Sequence, residues 1–232
     1  MRKSTIGIIT TTIFIFSYLC SIFLSYMVID DKWLAFGIGI SLLISNIILV
    51  IAFAIKKIFI RKSISIPLLA LNGIGAGLMV VAIMLNFNMV YKDKELLLDL
   101  GVSALICFTT YLVYMALLSI KAFSNHIKIY TFSFYALMII IFILLLIFTG
   151  YWLFTGIAYL LMLFMIFALI IPTESEKEAW SYFYYSSIGA FAVVSLIALM
   201  VLAGDGDAPD GLSELIPDAP ENPNKKKYYV KD

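Results

Sequence analysis

The chain has 232 residues, 63% of them hydrophobic and 13% charged, with a formal net charge of +1 and a mean hydropathy of +1.04. An ordinary soluble domain is nearer half apolar and a quarter charged, so too few polar side chains are present here to cover a water-facing surface. The basic residues lie in short clusters between apolar runs and form no single stripe, which argues against nucleic acid as a partner.

A bilayer core about 30 Å thick takes roughly 20 apolar residues in helix. The first such run, 6–29, follows Arg2 and Lys3. It is longer than the apolar part of a secretory signal and reads as a retained span. Ser17, Tyr18 and Leu19 before Cys20 do not suit a lipoprotein cleavage site. The second run, 33–55, carries Asn46 near its middle. The third, 64–90, carries Asn72 and the small-residue series Gly73, Gly75 and Gly77, with Pro67 expected in its first turn. The fourth, 96–120, holds Asp99, Thr109, Thr110 and Tyr111. Runs five and six, 129–148 and 152–171, are separated only by Thr149, Gly150 and Tyr151, and a single helix through both would overshoot the bilayer, so a tight hairpin is expected. The seventh, 180–203, carries Ser186 and Ala190. The runs are continuous and show no period-two alternation, which selects helices over a membrane barrel.

The expected fold is therefore all-α: a polytopic integral membrane helix bundle of seven transmembrane helices over residues 1–203, with a flexible polar tail at 204–232. The tail turns to Asp, Gly, Pro, Asn and Lys, a composition that buries little apolar surface. Orientation follows the basic residues of short loops. Arg2, Lys3, Lys56, Lys57, Arg61, Lys62, Lys121, Lys128 and Lys177 fall on one side and only Lys32, Lys92 and Lys94 on the other, nine against three. This puts the N-terminus in the cytoplasm and the tail outside, in the cytoplasmic (inner) membrane if the chain is bacterial. Trp33, Tyr91 and Trp152 then mark the outer interface, and Tyr130, Trp180, Tyr182, Tyr184 and Tyr185 the inner.

Polar groups inside the hydrocarbon are costly and become the candidates for function. Asn46, Asn72, Thr109 and Thr110 form a possible polar pathway, with Asp99, the one acidic residue inside an expected span, at its outer mouth. Each also suits a plainer role: the amides and hydroxyls can bond neighbouring helices, and Asp99 can face the positive end of a helix dipole. Gly73 with Gly77, and Ser186 with Ala190, have the i, i+4 small-residue spacing of close helix packing. Leu212, Leu215 and Ile216 are the one apolar patch in the tail and a possible partner-docking segment. Asp205, Asp207 and Asp210 before Gly211 do not match the spacing of a calcium loop.

No catalytic residue, metal site or cofactor is expected. His126 is the sole histidine, and Cys20 and Cys107 stand far apart inside apolar runs. Two functions fit. The first is a non-catalytic subunit, assembly factor or anchor of a larger membrane complex, its partners the lipid bilayer and other membrane protein subunits. The second is a small-solute transporter or channel with its path near Asn46, Asn72 and Asp99.

Overall fold

The computed structural model describes residues 3–56, 59–87, 94–118, 120, 126–149 and 152–204. Of residues 94–100, 127–128, 146, 149, 152–155, 167 and 169–170 it describes the backbone alone. Among the described residues the chain is all-helical, with α1 Lys3–Val28, α2 Lys32–Ile55, α3 Lys62–Asn86, α4 Lys94–Leu118, α5 Ile127–Thr149, α6 Trp152–Ile170 and α7 Glu176–Ala203. Five of them, α1, α2, α3, α4 and α7, are long and apolar enough to cross a membrane. That marks an integral membrane protein whose outer face meets lipid. The described apolar parts of α5 and α6, Ile129–Leu145 and Gly156–Ile166, are shorter.

Helix ends follow capping rather than hydropathy. α2 opens on Asp31, whose carboxylate accepts from the Trp33 N–H at 2.8 Å. α7 opens on Ser175, which accepts from the Glu178 N–H, while the Glu178 carboxylate accepts from the Glu174 N–H. The acidic first turn of α7 suits the helix dipole, so this helix starts four residues before the apolar run at Trp180. α3 starts at Lys62, with the Ser65 N–H reaching the Arg61 carbonyl. Pro67 consequently lies in the second turn and not the first. α3 closes at Asn86, short of the expected 90, and residues 88–90 lie outside the described set.

The helices alternate in direction. Gly73 of α3 meets Phe14, Ser17 and Tyr18 of α1, and Gly77 meets Tyr18 and Ser21, so α1 and α3 run parallel. α2 runs against α3, pairing Lys32 with Asn86 and Gly39 with Met79. α4 runs against α1, with Met115 at Gly7 and Tyr111 at Thr11. The carbonyl of Ile171, just past α6, accepts from Lys3 Nζ, so α6 ends where α1 begins. α1 therefore begins and α7 finishes at opposite ends of the bundle.

α3 is the axis. It packs against α1, α2 and α7, and residues 75–84 are buried without a break. Such all-round burial belongs to a central helix. α2 lies outside it and buries one narrow stripe, Ala35, Gly39, Leu43 and Asn46, leaving Ile44, Ile48 and Ile51 exposed. α6 packs against α4, α5 and α7, forming a second group that joins the first through α7 and α1.

Candidate functional site

Side chains with chemistry gather in two places. The first is the seam where α2, α3 and α7 meet. Asn72, fully buried, donates from Nδ2 to Ser187 Oγ at 2.8 Å, and Ser187 Oγ donates to the Tyr184 carbonyl at 2.7 Å. The Tyr184 hydroxyl donates to Asn46 Oδ1 at 3.0 Å, and Asn46 Nδ2 donates to the Leu42 carbonyl at 2.8 Å. One end is closed by Ser65 Oγ on the Trp180 carbonyl at 3.4 Å and by the Ile60 N–H on Ser181 Oγ at 2.9 Å. At the other end Asn86 accepts from Lys32 Nζ at 2.9 Å and donates to the Val201 carbonyl at 3.4 Å.

These contacts have a common register. Ser65 with Trp180, Asn72 with Ser187 and Asn86 with Val201 are each separated by 115 residues. Along α3 the three positions are spaced by multiples of seven. A straight α-helix drifts about 20° per seven residues, so a seam of this period favours a left-handed wrap of the two helices. Asn72 and Ser187 fall in the middle of that wrap.

The second place lies among α1, α4, α5 and α6. Thr11 and Tyr111, both fully buried, face each other across α1 and α4. One helical turn on, the Tyr114 hydroxyl and Thr131 Oγ1 share a hydrogen bond of 2.5 Å, and the Tyr114 ring stacks on Phe134 with centroids 4.1 Å apart. Phe142 and Tyr159 stack at 4.9 Å between α5 and α6. Beside Tyr114 a groove of about 390 Å³ opens between α4 and α5.

The expected pathway residues are thus divided. Asn46 and Asn72 sit together in the first seam, while Thr109 and Thr110 line the groove, Thr110 Oγ1 donating to its own helix at the Ile106 carbonyl. Asp99 belongs to the second turn of α4, and its side chain lies outside the described residues. Gly73 and Gly77 both face α1. A Cβ on Gly73 would stand 2.4 Å from the Phe14 carbonyl oxygen, and one on Gly77 2.7 Å from that of Tyr18. Ser186 Oγ donates to the Phe164 carbonyl of α6, and Ala190 is buried. Leu212, Leu215 and Ile216 lie outside the described residues.

Two residues assigned to the inner interface are placed differently. Trp180 and Tyr184 are buried between helices, Trp180 beneath the Lys62 ammonium at 5.9 Å and Tyr184 bonded to Asn46. Aromatic type gave no contrast between a lipid-facing and a helix-facing ring. The sequence reading also passed over Ser65, Ser187, Thr11, Tyr114 and Thr131. The spacing of Ser65, Asn72 and Asn86 by multiples of seven was the available signal for the first of these. Among the described residues no group of three or more His, Cys, Asp or Glu side chains could hold a metal ion.

Comparison with known proteins finds no matching family model, no matching curated protein and no matching solved structure.

Proposed function

We propose that the chain is a non-catalytic, multi-pass component of a larger membrane complex, acting as a subunit, assembly factor or anchor. The observation carrying this reading is how the amides of Asn46, Asn72 and Asn86 reach between helices. Asn46, Asn72 and Asn86 all bond other helices, and Asn46 and Asn72 are sealed between α2, α3 and α7. Side chains committed to neighbours in this way hold helices in place, whereas a solute path needs them turned toward an opening.

In this reading all seven helices span. α5 has 23 residues and α6 has 19, about 34 and 28 Å long at 1.5 Å per residue, which matches the hydrocarbon thickness. Lys3, Lys56, Arg61, Lys62 and Lys177 fall at the end where α1 and α7 begin, which is then the cytoplasmic side of a bacterial inner membrane. The tail, with Leu212, Leu215 and Ile216, is outside and docks a partner.

Purification in mild detergent tests the proposal. The expected result is a discrete assembly with a second membrane polypeptide in fixed ratio. A lone chain that makes vesicles permeable to small solutes, with permeability abolished by Asn46→Leu in a variant that remains folded, overturns it in favour of transport. Impermeant labelling of tags before Lys3 and after Gly204 checks the topology, and reaction of both from one side refutes it.

A further inference from the structure

Three hydroxyls of the α1–α4 seam are fully buried: Thr11 and Tyr18 of α1, and Tyr111 of α4. Among the described residues none of their oxygens has a partner at hydrogen-bond geometry. Thr10, next to Thr11, differs, since its Oγ1 donates to the Ile6 and Gly7 carbonyls of its own helix. Thr11 and Tyr111 face each other across the seam. Tyr18 stands seven residues beyond Thr11, which returns it to the same face of α1 within about 20°.

The surroundings decide what can join these groups. One turn away in one direction Gly7 lies against Met115, and one turn away in the other Ile15 and Cys107 are at most 3% exposed. The hydroxyls are thus enclosed by apolar layers, with Thr11 about 12 Å along α1 at 1.5 Å per residue, where hydrocarbon offers no partner. From Ser4 to Val28 and from Gly101 to Leu118 there is no charged side chain, so an ion would find no counter-charge on either helix. Each hydroxyl can both donate and accept, and an occupant has to do the same. Water does so in the smallest volume, and a buried water typically makes about three hydrogen bonds, one for each hydroxyl here.

We propose that Thr11, Tyr18 and Tyr111 together hold one buried water molecule, which joins α1 to α4 inside the membrane. That water is a polar link between the α3-centred helices and the α4–α5–α6 group, and the apolar layers on both sides make it a fixed part of the fold. The proposal does not rest on the subunit reading, since a lone chain would hold the water as well.

X-ray radiolysis of the full chain in lipid nanodiscs tests it, because hydroxyl radicals form on a bound water in place and oxidise the ring beside it, however deeply buried. Tyr111 should be oxidised, while Tyr184, equally buried but bonded to Asn46, should not. Thr11→Val, which keeps the shape and removes the hydroxyl, and Tyr18→Phe should each bring Tyr111 down toward the Tyr184 level. Thr11→Ser should leave it as in the native chain. Cooperative thermal unfolding of each variant checks that it is folded, and the native chain alone already decides the first comparison. Tyr111 oxidised no more than Tyr184 in the native chain, as a direct Thr11–Tyr111 bond would give, overturns the proposal, and so does oxidation left unchanged by Thr11→Val or by Tyr18→Phe.

Discussion

The α1–α2–α3–α7 group and the α4–α5–α6 group are both built of apolar helices, yet they are held by a different balance of contacts. The first is cross-linked by amides and hydroxyls that reach between helices and by glycines that let backbones touch. In the second, described contacts include stacked rings, Tyr114 on Phe134 and Phe142 on Tyr159, beside the Tyr114–Thr131 hydroxyl pair, and a groove remains between two of its helices. In lipid, where apolar surface has little reason to leave its surroundings, directional bonds and close backbone contact define a geometry better than greasy area does. The difference teaches that bonds between helices fix the first group, while the second keeps an open groove between α4 and α5.

The strongest way to break this contrast is to add bulk at matching glycines. Gly73→Leu should cost about 3 kcal/mol or prevent assembly, because its Cβ collides with the α1 backbone, which cannot swing aside. Gly101→Leu in α4, where a Cβ meets nothing within 4 Å, should leave thermal unfolding in detergent unchanged or slightly later. Next, Asn46→Leu strands the buried Tyr184 hydroxyl and should cost about 1 to 2 kcal/mol, read by the same unfolding. Ser175→Ala removes the cap of α7 and should cost about 1 kcal/mol, seen as faster proteolysis near Glu174. The smallest effect sharpens the comparison: a double-mutant cycle of Asn72→Ala with Ser187→Ala should give a coupling of about 0.6 kcal/mol. A similar value for Tyr114→Phe with Thr131→Ala would show that the second group also carries a working cross-link.

Helix number and approximate extent were legible because continuous apolar runs separated by short charged loops admit few other foldings. The ends were less so, as Pro67 and Glu176 show, since a cap or an acidic first turn extends a helix past its apolar run. Facing was hardly legible. α2 and α7 are apolar nearly all round, so no periodic stripe says which side turns inward, and Trp180 and Tyr184 were assigned to the interface on residue type alone. The amides of Asn46 and Asn72 were visible as candidates, but their partners Tyr184 and Ser187 stand more than 100 residues further on. Pairing at that distance is set by the packing of the whole bundle. The i, i+4 glycines marked close approach without saying that α1 would be the neighbour.

The seam between α3 and α7 also has a consequence for biosynthesis. At about 5–20 residues per second, the ribosome takes roughly 6 to 23 s to add the 115 residues that separate Asn72 from Ser187. During that interval α3 is made while its counterpart is not, so the Asn72 amide has no Ser187 hydroxyl to bond. Closure of the seam between α3 and α7 is therefore a late step in making the chain.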